Sequence, residues 1–271
     1  GVIVDGLADP LQPVVAVALS STCLGLRTPL LAALEVLRER HEKAKALCRK
    51  LDQSCAGLSG AERLHGAGRL VADDAATLGM ILRTNGLPRL HQLYISGSGL
   101  GDAGVQVLCE GLGRGAAPSL RVLGLAYNKF GPAGAEALAA ALGRGAFPQI
   151  ENLQLQGNPI GSQGVAALAA PLRKMPALSQ LFLSYCEIGD EGVASLVDNL
   201  GKDDFKALQL LWQNHNKITD AGVAKLLAAL DAGGLPKLVN QAYLLEDNPA
   251  SAVAVEAVHE ALVQRGAPKH G

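Results

Sequence analysis

LRVLGLAYNKF at residues 120–130 is followed thirty residues later by IENLQLQGNPI at residues 150–160. Both segments carry apolar residues at positions one, four, six and eleven, and an asparagine at position nine. The first segment continues with Gly131, Gly134 and an alanine-rich run before the second segment begins. Self-similarity at a period of about 20 to 50 residues is typical of a stacked solenoid, in which each unit packs only against its neighbours.

Each unit combines one short strand with one helix. Positions four and six share one face of the strand and are expected to be buried, whereas positions three, five and seven face the other way. The asparagine at position nine can bond backbone groups that a tight turn leaves unpaired, so one asparagine per unit predicts a ladder. The run AEALAAAL after Gly134 predicts an amphipathic helix. Because one unit cannot bury both apolar faces alone, the units are expected to stack.

The recurring pattern L-x-x-L-x-L-x-x-N-x-I-G-x-x-G-x-x-x-L-x-x-x-L resembles the leucine-rich repeat in its long, ribonuclease-inhibitor-like subtype. The resemblance covers residues 58–265, and its specificity comes from the recurrence of the pattern. It implies an α/β leucine-rich repeat solenoid, a horseshoe arc with a parallel sheet on the concave side and helices on the convex side.

Five clear units begin at Leu90, Leu120, Ile150, Leu178 and Leu208. Their ninth residues are Ser98, Asn128, Asn158, Cys186 and Asn216. Serine and cysteine can replace asparagine in the ladder, with weaker bonding. Residues 58–89 are typical of a decayed earlier unit, with Leu70 in phase, a helix from Asp73 to Arg83 and no recognisable strand motif.

The C-terminal units lose this regular phase. Gln213 occupies the sixth position of the unit that begins at Leu208, where an apolar residue is expected. A sixth unit near Leu238 fits only after a slip of two residues, and this register puts Leu244 on the concave face. Its phase is restored by Asn240, Tyr243, Leu245 and Asn248. We predict a last helix over 251–264 and a loose tail over 266–271.

Residues 1–57 are predicted to form a lead-in and helical cap. Residues 14–27 are similar to the second half of an F-box, and the alternative is an ordinary capping helix. Residues 29–53 predict one long helix with an apolar seam at alternating spacings of four and three residues. We expect this helix to cover the open end of the solenoid core, which terminal repeats need for solubility. The alternative is a coiled-coil contact with a partner.

Composition excludes several classes of protein. The chain has 271 residues, a formal net charge of −1 and 49% hydrophobic residues, which is ample for a core and offers no basic footprint for nucleic acid. Its apolar runs are shorter than the ~20 residues of a membrane-spanning helix. Five cysteines and no N-x-S/T sequon do not favour a disulfide-linked secreted protein. We expect an intracellular location, cytoplasmic or organellar, and the initial Gly1 is compatible with a removed targeting peptide.

The short motifs that resemble nucleotide-binding, metal-binding or acid–base sites are explained by the repeat or lack the required spacing. The Gly-x-Gly-x-x-Gly at residues 99–104 resembles a dinucleotide loop, but its last two glycines recur in the following units. Cys48 and Cys55 lack metal-ligand spacing, and the six His residues are scattered. Asp102, Asp190 and Asp220 recur at helix starts, where they can act as caps. We therefore expect no catalytic residues, no cofactor and no metal site, and a protein that is not an enzyme.

Aromatic residues are concentrated on the predicted outward columns. Position five faces the concave side and position eight lies at its rim. The chain contains four Phe, four Tyr and one Trp, and five of these fall on the two columns. Exposed aromatics grouped on one surface indicate a protein-binding patch. The predicted partner-binding residues are Tyr94, Tyr127, Gln154, Phe182, Tyr185, Trp212 and His215.

These observations predict a non-enzymatic protein–protein interaction or scaffold module, including a role as a linking subunit of a larger assembly. Its partner is expected to be a protein, not nucleic acid. One alternative is a substrate receptor of a ubiquitin ligase, based on the F-box-like residues 14–27. Another is a GTPase-activating protein, a function of some long leucine-rich repeat proteins, although no residue here matches a catalytic element of that activity.

Overall fold

The computed structural model describes residue 11 and residues 27–84, 86–113, 115–239 and 243–266. Six parallel strands form a single sheet in chain order. The strands are β1 Arg63–His65, β2 Gln92–Tyr94, β3 Val122–Gly124, β4 Asn152–Gln154, β5 Gln180–Phe182 and β6 Leu210–Trp212. Their central residues pair in register as one continuous row of leucines: Leu64, Leu93, Leu123, Leu153, Leu181 and Leu211.

A helix follows each strand, two helices precede β1, and one more helix ends the described residues. The helices are α1 Arg27–Lys50, α2 Cys55–Ser59, α3 Ala72–Thr84, α4 Gly101–Glu110, α5 Pro132–Gly143, α6 Gly161–Arg173, α7 Asp190–Val197, α8 Asp220–Asp231 and α9 Ala252–Gly266. From α3 to α9, each helix packs against the next, as a one-dimensional stack requires. The expected α/β architecture, a parallel sheet with flanking stacked helices, is therefore confirmed.

The core lies between the sheet and the helices. In the second clear unit, Leu123, Leu125 and Phe130 are each 0% exposed. Leu138 and Leu142 supply the buried face of α5, at the spacing of one helical turn. The predicted phase is thus confirmed: the fourth, sixth and eleventh positions point inward. We call the opposite face of the sheet, formed by positions three, five and seven, the open sheet face.

An asparagine ladder closes the turns after β3, β4 and β6. Asn158 donates from Nδ2 to the backbone oxygens of Leu125 and Leu155, at 3.0 and 2.7 Å, and its Oδ1 accepts the Asn128 N–H at 2.8 Å. One side chain thereby links two units. Cys186 replaces asparagine with a single thiol, which lies 3.4 Å from the Leu155 oxygen, so the weaker bonding expected there is confirmed.

The helix-start acids connect units rather than capping their own helices. Oδ1 of Asp102 accepts the N–H groups of Gly131 and Gly134, both at 2.8 Å, at the start of α5 in the following unit. Asp190 and Asp220 do the same for α8 and α9. The expected capping role therefore exists, but it acts between neighbours, because stacking brings each acid to the next helix's unpaired donors.

The N-terminal end contains a strand that sequence patterning missed. Leu64 of β1 is 0% exposed and pairs with Leu93, although the unit has only one recognisable strand leucine.

Helix α1 packs along α3 and buries Leu47 and Cys48, so its C-terminal half covers the first unit. Helix α2 crosses the predicted boundary at residue 57. Residues 14–26 of the F-box-like segment and residues 267–271 of the predicted tail lie outside the described residues.

The C-terminal register differs from the prediction. Leu245 is buried and Asn248 joins the ladder, as expected. Tyr243, however, is 48% exposed, whereas Leu244 is 0% exposed, so the assignment of these two residues was wrong. Residues 243–247 form a turn, and period-two alternation does not hold in a turn. The sixth unit therefore closes the stack without a strand over its described residues.

Candidate partner-binding surface

The middle of the open sheet face is lined by neutral amides. Gln92, Asn152, Gln154 and Gln180 are half-buried on strands β2, β4 and β5. Nδ2 of Asn152 donates to Oε1 of Gln180 at 2.6 Å, which fixes these two side chains across neighbouring strands. The predicted site residue Gln154 thus lies in a polar, uncharged region between two aromatic groups.

An aromatic cluster lies at the C-terminal end of this face. Trp212 contacts Phe182 edge-on, with ring centroids 4.5 Å apart, and its other neighbour is Tyr243, at 4.8 Å. Phe182 is only 7% exposed, which corrects the expectation that it is an exposed anchor. It lies outside the leucine core but is covered, because neighbouring side chains on a sheet contact one another. Trp212 is half-buried and Tyr243, which patterning did not select, is exposed.

The rim at position eight carries exposed rings on an unusual backbone. Tyr127 and Tyr185 are 54% and 50% exposed and have φ of 55° and 56°. Gly157 occupies the same position between them. A Cβ added to Gly157 would overlap Cδ1 and Cε1 of Tyr127, so this glycine leaves the space over which the Tyr127 ring extends. At Gly157 the rim therefore lacks a side chain for a steric reason.

The rim continues into a stacked pair. The rings of Tyr185 and His215 are 4.1 Å apart and inclined by 16°, and Nε2 of His215 lies 3.0 Å from Oδ2 of Asp247. Asp247 has the same left-handed backbone as His215, with φ of 53° and 54°. The structure thus brings the predicted residues Tyr185 and His215 together beside an unpredicted carboxylate.

A second aromatic pair lies at the N-terminal end of the face. Tyr94 stacks on His65, with centroids 5.0 Å apart and an interplanar angle of 15°. Tyr94 also covers Gly124, where an added Cβ would approach its Cδ1 to 2.7 Å. His65 was missed because the strand that holds it was not recognisable. Tyr94 and Trp212 therefore mark opposite ends of the face, with Gly124 and Gln154 between them.

The buried cysteines are poorly suited to nucleophilic chemistry. Burial raises the pKa of Cys109 and of Cys186 to about 12, so both thiols stay neutral and weakly nucleophilic. Burial and the neighbouring thiol of Cys55, 3.5 Å away, raise the pKa of Cys48 to about 12.

Among the described residues, no cluster of His, Cys, Asp and Glu could hold a metal ion. None of the helices in the described ranges is long and apolar enough to span a membrane.

Comparisons with known proteins give a family match and structural neighbours. Among solved structures, the chain is similar to the complex of Rad7 and Elc1 from yeast, with 15% identity and a TM-score of 0.40. That alignment covers 94% of this chain and 63% of the other, so the chain spans less than two thirds of its length. No curated protein sequence matches the chain. A leucine-rich repeat family profile matches residues 116–139, 150–169 and 176–197. Together with the six-stranded parallel sheet and its flanking helices, this match identifies an α/β leucine-rich repeat solenoid.

Proposed function

We propose that this protein is a non-enzymatic interaction module that binds a protein partner through the open sheet face and its rim. The binding residues are Tyr94, Tyr127, Gln154, Tyr185, Trp212 and His215, joined by Tyr243. Phe182 contacts Trp212 edge-on and limits its movement. The same surface suits a linking subunit in a larger assembly, because a rigid array of strands can hold a partner at a defined position.

The exposed tyrosines of the rim carry this proposal. Tyr127 and Tyr185 occupy left-handed backbone positions, where an L-residue with a side chain costs roughly 1 kcal/mol or more. Glycine occupies the same position in neighbouring units at no such cost. Because about half of the surface of each residue is exposed to solvent, core packing does not explain the preference for tyrosine. Binding of a partner does explain it, since tyrosine is enriched in interfaces.

Rigidity makes such a surface efficient. The strands are held by backbone pairing and by the asparagine ladder, so a partner meets side chains that are already positioned. The stacking of Tyr185 on His215 further limits ring motion before binding. Less conformational entropy is then lost on association, and more of the contact free energy contributes to affinity.

The test replaces both rim tyrosines with glycine, as Y127G/Y185G. We expect the unfolding free energy to change by about 1 kcal/mol or less, because relief of backbone strain offsets the more flexible unfolded chain. Proteins captured by the wild-type chain, quantified by mass spectrometry, should fall at least tenfold. Val253→Ser on α9 is the matched control, since Val253 is 82% exposed and lies off this surface. Equal capture by Y127G/Y185G and wild type would exclude this surface.

A further inference from the structure

We infer that the segment bound on the open sheet face is an extended peptide with an arginine or lysine at one end and a carboxylate at the other. The inference rests on the proposed function and specifies the chemistry of the partner. Three features of the face carry it: an acidic aromatic end, a basic end, and a neutral amide region between them.

The C-terminal end of the face combines carboxylates with aromatic rings. The backbone N–H of His215 donates to the backbone oxygen of Glu246 at 3.0 Å. One unit earlier, the backbone N–H of Tyr185 donates in the same way to the backbone oxygen of Asn214. The Glu246 backbone therefore takes the place of position seven in the last unit, and its side chain is exposed. Within the described ranges, Glu246 forms no ion pair, and Asp247 next to it pairs only with the imidazole of His215.

This arrangement favours a cation. The Trp212 and Tyr243 rings, 4.8 Å apart, lie on the same end of the face as the Glu246 backbone position. A guanidinium or ammonium is attracted both by an aromatic ring face and by a carboxylate. Arginine suits the site best, because its planar group stacks on rings while its donors meet the carboxylate.

The N-terminal end has the opposite charge. Arg63 lies at position three of β1, is exposed, and forms no ion pair with any residue in the described part of the chain. By contrast, Arg89 and Arg121 are neutralised by Glu62 and Glu151. The His65–Tyr94 stack lies beside Arg63 on the same two strands. Arg63 is therefore available to hold a carboxylate of the bound segment.

The region between the ends matches a peptide backbone. The amides Gln92, Gln154 and Gln180 each contain donors and an acceptor, the same groups that a peptide backbone presents. Gly124 and Gln154 add no apolar side chain that could anchor a large hydrophobic residue. From β1 to the last unit, which follows β6 and holds Glu246, there are six spacings of ~4.8 Å, about 29 Å in total. An extended chain advances ~3.3 Å per residue, so about nine residues span the two ends.

The experiment selects binders from a library of random twelve-residue peptides displayed on phage, using the full chain as target. We expect enriched sequences with arginine or lysine near one end and aspartate or glutamate about eight residues away. Synthetic versions of these peptides are then measured by fluorescence anisotropy. Glu246→Gln and Arg63→Gln should each weaken binding about tenfold, whereas the exposed controls Glu260→Gln and Lys206→Gln should leave the affinity within twofold.

The outcomes separate this inference from the proposed function. Enriched peptides without opposite charges, or equal affinity for the E246Q and R63Q variants and the wild type, would overturn the inference. So would a selection that enriches no peptide at all. If peptides fail but the Y127G/Y185G variant loses its captured proteins, the interaction surface stands and its partner is a folded surface. If both experiments fail, the proposed function fails with the inference.

Discussion

At the scale of single residues, the buried amide of Gln213 lies where the regular repeat ends. Gln213 is 1% exposed at a core position, and neither its Oε1 nor its Nε2 has a hydrogen-bond partner among the described residues. Burying an unpaired amide costs about 1 to 3 kcal/mol. Its backbone N–H meets the oxygens of both Tyr243 and Leu244, at 3.2 and 3.1 Å. The irregular last unit is therefore hydrogen-bonded to the residue that breaks the apolar pattern of the preceding unit.

Gln213→Leu is expected to raise the free energy of unfolding by about 1 to 2 kcal/mol, because it removes the unpaired amide and keeps a similar volume. Urea denaturation of the wild type and the variant measures the change. Gln154→Leu is the control, since Gln154 is half-buried on the open sheet face and should change stability little. A destabilised Q213L would mean that the amide has a native partner.

At the scale of elements, two kinds of contact determine how one unit fits the next. Helices α3 and α4 approach closely where Gly79 faces Gly111. Elsewhere, side chains reach from one unit to the donors of the following helix, as Asp190 does for α8. The first contact depends on the absence of a side chain and the second on the presence of a charge.

Gly111→Ala should destabilise the protein by about 2 to 3 kcal/mol. Its added Cβ would overlap the Gly79 oxygen, so α3 and α4 must move apart. Gly143→Ala is the matched control, because Gly143 ends α5 in open space, and we expect it to be neutral or slightly stabilising. Thermal melting compares them, and equal melting temperatures would contradict the close approach.

Stability should fall in acid partly through Asp190. Burial would raise its pKa, but hydrogen bonds from the Thr219 hydroxyl and from the N–H groups of Thr219 and Gly222 outweigh this and lower the pKa below its ordinary 3.8. A lowered folded-state pKa stabilises the protein above the unfolded value, and this stabilisation is lost as pH falls through the folded value.

We therefore expect Asp190→Asn to be less stable than the wild type at pH 7, with the difference shrinking below about pH 4. Urea denaturation at several pH values measures it. Asp203→Asn, at an exposed position outside these caps, should retain the pH dependence of the wild type. If D190N and the wild type lost the same stability as the pH falls, the charge of the Asp190 carboxylate would contribute nothing to the contact between the two units.

At the scale of the whole molecule, the stack is linear, and each unit is stabilised mainly by its neighbours. The first unit is covered by α1, in which Leu47 is 0% exposed, and α1 is also linked to α3 by the ion pair of Lys50 with Asp74, at 2.5 Å. The cap should therefore control the N-terminal end of the open sheet face, including Arg63 and His65.

Leu47→Asp buries an unpaired charge and should cost roughly 3 kcal/mol or more at the N-terminal end. Because a solenoid transmits stability only through neighbours, the loss should be local. Hydrogen exchange should accelerate strongly over residues 63–84 and much less over 180–231. The matched control is Ala46→Asp, which adds the same charge at the adjacent, exposed position and should leave exchange unchanged. Uniform acceleration along the chain would indicate one cooperative unit instead.

Spacing along the chain is enough to specify the repeat, the phase of the leucines and the asparagine ladder. The pattern recurs in five units, and only one register places leucine at the fourth position of every unit. Leu123, Leu153 and Leu181, which occupy this position, are all buried. Spacing also assigns Tyr127 and Tyr185 to the exposed rim, because position eight lies beyond the end of each strand.

The accessibility of the outward residues, by contrast, depends on packing between units. Phe182 is covered by Trp212, Tyr243 joins the aromatic cluster from a turn, and β1 is formed through pairing with β2. These features depend on the side chains of neighbouring units, thirty or so residues away. A residue's own position in its repeat specifies its direction, whereas its exposure is set by what the adjacent strands place beside it.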